Sequence, residues 1–231
     1  MPGFIISSNS AIDLRSINLC FIFAFNPLFI LQFYSIVYKP YNVLSQFTTA
    51  DGKQTLKDFF VVPKDVYPVG RLDFDSEGLL VLTNDKKINH QLLDPLFAHQ
   101  RTYWVQVDGA INKEAITQLQ AGVDINVDGK IYRTKKCKAT LFESPPPAPP
   151  RDPPIRFRKN IPAPWIQLEI TEGKNRQVRK MTAAVGFPTL RLIRYRIANC
   201  TIDGLAPGEM RILKNQEMYR SLFSPGNDLS K

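Results

Sequence analysis

The sequence predicts an α+β protein built on a mixed, mostly antiparallel sheet. Several segments alternate apolar and polar residues, as half-buried strands do. Turn signals such as Asp108-Gly109 and Asp128-Gly129 separate many of them, and few are separated by a helix. Because short turns join antiparallel strands and helical crossovers join parallel ones, hairpins are expected to dominate.

The individual elements follow from these local patterns. Strands are predicted at residues 33–38, 43–47, 79–82, 101–107, 123–127, 130–132, 165–170, 190–197 and 209–213, and residues 59–62 are a short apolar segment that Pro63 ends. Helices are predicted from Asp85 to about Leu93, from Asn112 to Gly122, over residues 175–185 and over residues 218–223. Residues 144–154 contain seven prolines and are expected to form an exposed loop.

Composition narrows the function classes. The 30 Lys and Arg against 21 Asp and Glu give a net charge of +9, which favours a polyanionic partner, nucleic acid first and an anionic membrane second. The 3 cysteines are far apart and only 2 histidines are present, so neither a zinc site nor a disulfide framework is expected. The chain resembles a reduced intracellular protein.

Residues 1–33 differ from the remainder and are treated as an apolar N-terminal extension. The uncharged run at residues 19–37 is long enough to span a bilayer. Asn26-Pro27 interrupts it, and its aromatic and β-branched end suits a strand. Three alternatives stay open for the extension: a membrane anchor, a targeting segment or an incorrectly assigned start codon. Membrane attachment is the least favoured.

A polar loop at residues 69–78 precedes the apolar strand at residues 79–82. Within it, Asp73 and Asp75 alternate with apolar residues, so both carboxylates face the same way if the loop is extended. Arg71 lies two residues before Asp73. An acid in this position suits either an ion pair or a nucleophile.

Two further segments concentrate positive charge. Glu172-Gly173 leads into a predicted helix on which Arg176 and Lys180 share one face, with Arg179 nearby. A helix N-terminus with such a face can bind phosphate, although a solvated basic face is the simpler interpretation. Arg191, Arg194 and Arg196 alternate with apolar residues on a strand, which suits either an RNA-backbone track or a charged edge strand.

Together these segments resemble a known family. Gly70-Arg71-Leu72-Asp73, the run at residues 77–85, the strand containing Tyr103 and the run at residues 172–181 are similar to the pseudouridine synthases of the small-subunit/large-subunit rRNA branch. The resemblance extends from about Tyr38 to Arg220. Residues 39–47 and 155–160 are most similar to the large-subunit group designated E, which lacks the small S4-type RNA-binding domain of many relatives.

The resemblance implies a fold and a chemistry. The expected fold is a catalytic domain over residues 34–231, with a sheet in two halves, flanking helices and a central cleft. Members of the family break the N1–C1′ bond of a chosen uridine, rotate the base and join C5 to C1′. The reaction exchanges no atoms or electrons with another molecule, so no cofactor and no metal are expected.

The resemblance also assigns roles to individual residues. Asp73 is the expected catalyst, as nucleophile or as base, and Arg179 is expected to hold it. Tyr103 stacks on the target base, and Arg71 fills the place of the flipped nucleotide. Asp75 and Glu77 are interpreted as loop architecture. The residues expected to bind RNA are Arg71, Lys174, Asn175, Arg176, Lys180, Arg191 and Arg194.

The expected partner is therefore rRNA, most simply of the large subunit, bound by a monomer in the cytoplasm, or in an organelle of a eukaryote. The alternative is a non-catalytic RNA-binding factor of ribosome assembly with the same fold. The presence of Asp73, Tyr103 and Arg179 disfavours that alternative.

Overall fold

The computed structural model describes residues 32–48, 51–156 and 158–224. Residues 1–31 lie outside the described part, so the expected N-terminal extension is untested apart from its last two residues. In the described part of the chain, no helix combines the length and apolar character needed to cross a membrane.

The secondary structure follows the chain as an α+β mixture. The strands are β1 (Tyr34–Lys39), β2 (Val43–Leu44), β3 (Gln54–Thr55), β4 (Tyr67–Pro68), β5 (Glu77–Thr83), β6 (Arg101–Val107), β7 (Asp124–Val127), β8 (Lys130–Arg133), β9 (Lys138–Leu141), β10 (Trp165–Ile170), β11 (Thr189–Ile197), β12 (Cys200–Thr201) and β13 (Met210–Ile212). The helices are α1 (Lys86–Leu93), α2 (Lys113–Ala121), α3 (Gln177–Ala184) and α4 (Asn215–Phe223), with short 3-10 turns at Leu56–Asp58 and Pro95–Phe97.

One large mixed sheet organises the described residues. Its strand order is β13-β1-β5-β11-β6-β10-β9, with β4 added beside β5 and β12 beside β11. Only the β5–β11 pair in this sheet is parallel, and the other pairs are antiparallel. The parallel pair joins a half that contains β1 and β5 to a half that contains β6 and β10. The predicted α+β class with a mostly antiparallel sheet is confirmed.

Strand β5 is buried along its whole length, as its apolar sequence predicts. Leu80 and Leu82 pack on one face with Val37 of β1. Leu79 and Val81 pack on the other face, in the cluster that also includes residues of α1 and α4. The strand therefore has protein on both sides and supports the polar loop that precedes it.

Local signals predicted the first two helices well. Asp85 caps α1 by accepting a hydrogen bond from the Lys87 amide at 2.9 Å. Asn112 caps α2 in the same way through the Ala115 amide, also at 2.9 Å. Side-chain caps of this kind satisfy amides that have no partner within the helix.

Several strands differ from prediction. Strands β3, β4 and β12, of two residues each, were not predicted, and β2 ends at Leu44 rather than at Phe47. The apolar segment at residues 59–62 forms no strand. β9 was not predicted, because it is an edge strand that pairs only with β10 in the sheet and keeps a single buried residue, Ala139, so it shows little apolar alternation.

The two halves of the sheet approach closely at Gly78. This residue has a φ of +108°, and a Cβ built on it would lie 2.4 Å from the Arg194 carbonyl oxygen and 2.7 Å from the Arg194 nitrogen. Glycine is needed there because backbone, which cannot move aside like a flexible side chain, occupies the space.

Replacing Gly78 by alanine is expected to destabilise the protein by about 3 kcal/mol or more, from the left-handed backbone and the clash together. Gly52→Ala is the matched control, since Gly52 has a φ of +70° but no atom within 4 Å. The control should cost only about 1–2 kcal/mol, which is the backbone contribution alone. Urea unfolding followed by circular dichroism measures both, and equal losses would show that the close approach is unimportant.

Candidate active site

A cavity of about 490 Å³ opens where β5 and β11 meet. Its walls come from the loop before β5, the end of α1, β6, the loop between β10 and α3, and β11. Asp73, Tyr103, Arg176 and Arg194 all line it. Residues far apart in the sequence therefore meet in a space large enough for a small organic group.

Asp73 lies at the start of a tight turn rather than on an extended segment. The Ser76 amide donates to the Asp73 carbonyl oxygen at 3.0 Å, which closes the turn. Ser45 holds the preceding residue twice, because its Oγ donates to the Leu72 carbonyl at 2.8 Å and accepts from the Leu72 amide at 3.0 Å. The backbone beside the Asp73 carboxylate is thus fixed from both directions.

Lys39 also holds the turn that carries Asp73. Its side chain is fully buried, and its Nζ donates to the carbonyl oxygens of Val43 at 2.7 Å and Pro40 at 2.9 Å, with Phe74 at 3.5 Å. Burial lowers the pKa of the Lys39 ammonium to about 7, although Glu77 and Asp75 oppose this shift. The carbonyl contacts tie the end of β1 to the turn that carries Asp73.

Asp75 binds two arginines from the other half of the sheet. Arg176 donates to both carboxylate oxygens of Asp75, at 2.9 and 2.8 Å. Nη2 of Arg179 donates to the Asp75 backbone carbonyl at 2.6 Å and lies 3.4 Å from its Oδ2. The paired hydrogen bonds from Arg176 to both oxygens of the Asp75 carboxylate are the strong, bidentate form of a guanidinium–carboxylate ion pair.

The charges in this cluster stabilise one another. Burial alone would raise the pKa of Asp75, but the hydrogen bonds and charge of Arg176, with the charge of Arg179, outweigh burial and hold that pKa below its ordinary value. The Asp75 carboxylate in turn raises the pKa of Arg176. Asp75 is therefore ionised at neutral pH, and the cluster has a fixed charge arrangement.

The structure changes the expected partner of Asp73. Arg179 was expected to hold Asp73, but its hydrogen bonds go to the backbone oxygens of Asp75 and Thr189. The guanidinium nearest to the Asp73 carboxylate is that of Arg176, with an Nη1–Oδ2 distance of 3.7 Å. Burial lowers the pKa of Arg179 and the charge of Asp73 opposes this shift, so the two groups interact at a distance, and Arg179 holds the turn that carries Asp73.

Helix α3 begins at Gln177, two residues later than predicted. Arg176 occupies the N-cap with a φ of +54°, so it leaves the helical path. Arg176 and Lys180 consequently do not form the predicted pair on one helix face. The left-handed backbone accompanies the contact with Asp75, which no local pattern indicates.

Tyr103 and Trp104 point to opposite sides of β6, as their alternation predicts. Tyr103 lines the pocket and is 8% exposed, whereas Trp104 stacks on Tyr195 with 4.2 Å between ring centroids. Arg194 lies beside Tyr103 in the same pocket. Its pKa is lowered by burial, and the Tyr103 hydroxyl and Asp73 act in the opposite direction.

Arg191 is not exposed, contrary to the prediction of a basic track. Its guanidinium pairs with the Glu77 carboxylate through contacts of 2.8 and 2.7 Å, and the two side chains are 7% and 2% exposed. Arg194 is similarly buried and donates from Nε to the Leu79 carbonyl at 2.8 Å. Because both side chains are enclosed, neither serves as an exposed contact for an RNA backbone.

The other basic residues are more accessible. Arg71, Lys174 and Asn175 are exposed and line the pocket. Lys174 also lies 4.9 Å from the Tyr132 ring centroid. Lys180 is partly buried and is not part of the pocket wall. Among the described residues, no group of three or more His, Cys, Asp or Glu side chains could hold a metal ion.

The chain is similar to proteins of a known family. Residues 33–184 match the family model described as RNA pseudouridylate synthase. The chain belongs to this family. The resemblance inferred from the motifs is thereby confirmed.

Named synthases are similar over most of their length. Ribosomal large subunit pseudouridine synthase E of Xanthomonas axonopodis pv. citri is 52% identical over 171 residues, which cover 73% of this chain and 87% of that protein. The protein of the same name from Vibrio parahaemolyticus is 49% identical over 173 residues, covering 75% and 70%. A crystal structure of a pseudouridylate synthase, 25% identical, superposes with a TM-score of 0.66 over 83% of this chain and 74% of that one.

Two residues that support the candidate site of this RNA pseudouridylate synthase, Lys39 and Ser45, were not predicted from the sequence. Lys39 was interpreted only as part of a turn signal, and Ser45 only as part of a strand. The charge of Lys39 in an otherwise apolar buried strand was the available signal, because a buried lysine requires acceptors. Ser45 offered no comparable signal.

The Glu77–Arg191 pair of this synthase is expected to be structural. Glu77→Gln leaves the Arg191 charge buried without its counter-ion and should lower the free energy of unfolding by about 3–5 kcal/mol. The control is Asp124→Asn, which removes an exposed pair with Arg133 at 3.6 Å and should cost at most about 1 kcal/mol. Urea unfolding measures both, and a small loss for Glu77→Gln would contradict a structural role.

Proposed function

We propose that this protein isomerises a specific uridine of large-subunit rRNA to pseudouridine. The single observation that carries the proposal is the meeting of Asp73, Tyr103, Arg176 and Arg194 in one cavity. The relatives described above are named ribosomal large subunit pseudouridine synthases, which supports the choice of RNA.

Asp73 is the proposed catalytic residue. Its side chain is 34% exposed and borders the cavity, so it can reach a bound nucleotide. The N1–C1′ bond breaks as Asp73 acts as nucleophile on the sugar or as a base that assists departure of the uracil, and the Arg176 guanidinium lies 3.7 Å from its carboxylate. The released uracil rotates and C5 bonds to C1′. This step displaces the Asp73 carboxylate if it had bonded to C1′, and Asp73 returns its proton if it had acted as base. The C5 proton is then lost while N1 gains one.

Tyr103 is proposed to stack on the flipped uracil, over the charge of Arg194. A base inside a duplex cannot reach this cavity, so the nucleotide must leave its stack. Arg71 is exposed at the cavity edge and is proposed to take the vacated position, since a planar guanidinium can stack on bases. Arg179 acts by fixing the turn that carries Asp73.

The proposed RNA contacts are Arg71, Lys174, Asn175 and Arg176, which are exposed at the cavity, with Lys180 beside them on α3. We propose further that residues 34–231 form the catalytic domain and act as a monomer without a cofactor. The cytoplasm is the proposed compartment, because that is where bacterial rRNA is made.

Asp73→Asn should reduce pseudouridine formation by more than about a thousandfold, because the amide can neither attack nor accept a proton. RNA affinity should change little. Pseudouridine mapping of rRNA and a filter-binding assay measure the two quantities. Asp51→Asn is the control, since Asp51 is exposed on a turn away from the cavity. An active Asp73→Asn variant would refute the mechanism, and an inactive wild type would favour a non-catalytic RNA-binding factor.

Arg176→Ala should weaken RNA binding and reduce the slope of log affinity against log salt by about one, because a phosphate contact releases counterions. Arg133→Ala is the control, as Arg133 is an exposed arginine outside the cavity wall. Titrations at several salt concentrations measure the slopes. An unchanged slope for Arg176→Ala would remove this residue from the RNA interface.

A further inference from the structure

A second, open cavity of about 1000 Å³ adjoins the candidate active site. We call it the flanking groove; its walls are residues 45–48, 57, 60–64, 66–68, 70, 71, 89 and 93. Gly70, Arg71 and Leu93 line both cavities. The two cavities are therefore neighbours, with only these three residues shared between their walls among the described residues.

The groove exposes large apolar side chains. Val61 is 81% exposed and Tyr67 is 64% exposed. Tyr67 lies on β4, a short edge strand whose position is set by pairing with Thr83 of β5. A patch of this kind on a folded protein marks an interaction surface. The aromatic ring is accessible and sits on a fixed strand, so it is suited to stacking.

The charged side chains that line the groove are all positive. Lys57, Lys64 and Arg71 line it and are exposed, and none of the acidic residues in the described part of the chain lines it. The nearest acids in sequence are engaged with other groups. Asp58 accepts hydrogen bonds from the amide and hydroxyl of Thr55 at 2.7 and 3.1 Å, and Asp65 accepts one from Asn84 at 2.8 Å.

We propose that the flanking groove binds the nucleotide next to the target uridine in a single-stranded RNA segment. Its base stacks on Tyr67, and the neighbouring phosphates lie at Lys57 and Lys64. This inference rests on the proposed function, because the groove matters only if a uridine enters the adjoining pocket. Unpaired bases are commonly bound on aromatic side chains beside cationic ones.

Arg71 connects the two sites. It lines both cavities, so its guanidinium can fill the vacated stack and contact the phosphate between the flipped uridine and the next nucleotide. The combination of an exposed aromatic ring with three cations and no lining acid favours an RNA segment over a protein partner. A protein surface would have to supply the negative charge as well as the apolar contact.

The test uses the full chain and two labelled probes, a single-stranded oligouridylate and the same backbone without bases. Tyr67→Ala should raise the Kd for oligouridylate about tenfold, whereas Tyr67→Phe, which keeps the ring, should stay within about twofold of wild type. The Kd for the abasic probe should be the same for all three proteins. Fluorescence anisotropy measures these values.

The cationic side of the groove has its own comparison. Lys64→Glu should weaken binding of both probes and lower the salt slope, because its contact is with phosphate. Lys113→Glu is the matched control, an exposed lysine that lines neither cavity, and should change neither.

Several results would overturn the proposal. One is an unchanged Kd for oligouridylate in Tyr67→Ala. Another is an equal rise of the Kd for both probes in the same variant. A changed sedimentation coefficient of Tyr67→Ala with unchanged RNA binding would assign the groove to a second copy of the chain. Dependence on Tyr67 that appears only after deletion of residues 1–31 would assign it to that segment.

The groove and the proposed function can fail separately. Pseudouridine formation in rRNA by the wild-type chain, with binding that does not depend on Tyr67, refutes the groove alone. Tyr67-dependent binding of the oligouridylate by a chain that forms no pseudouridine refutes the proposed function alone.

Discussion

The ion pair between Asp75 and Arg176 is the contact on which the candidate active site depends. It joins residues that are 101 positions apart in the sequence and lie in loops from opposite halves of the sheet. Asp75 binds both guanidinium nitrogens and receives a further bond from Arg179 at its backbone. Because Asp75 occupies this pair, the carboxylate of Asp73 remains partly exposed toward the cavity and still lies beside a positive charge.

The junction between β5 and β11 explains why several charged residues are buried. Gly78 lets the backbone of β5 approach that of β11, and this brings Glu77 within bonding distance of Arg191. Arg194, from the same strand as Arg191, lines the active-site cavity together with Tyr103. Buried residues at the junction of β5 and β11 thus lie beneath the active-site cavity. The flanking groove beside that cavity is lined by exposed apolar and cationic groups.

Local chemistry made part of this structure predictable. Helix starts at Asp85 and Asn112 depend on hydrogen bonds within a few residues, and the buried strand β5 depends on its own apolar run. The family motifs identified Asp73 and Tyr103 as site candidates, and the structure brings them to one cavity. Pairs between side chains far apart in the sequence could not be predicted. The enclosed arginines of β11 resembled an exposed basic stripe, since their acceptors in Glu77 and Leu79 are 114 and 115 residues away.

The kinetic effect of Asp75→Asn tests the central claim most directly, with pseudouridine formation measured as kcat and KM on rRNA. If the Asp75 carboxylate positions Arg176 beside Asp73, the substitution should lower kcat by at least about tenfold, because it alters the transition state. Arg176→Gln combined with it should add little further loss of kcat, since both changes remove one contact. An unchanged kcat in Asp75→Asn, or fully additive losses in the double variant, would contradict the account.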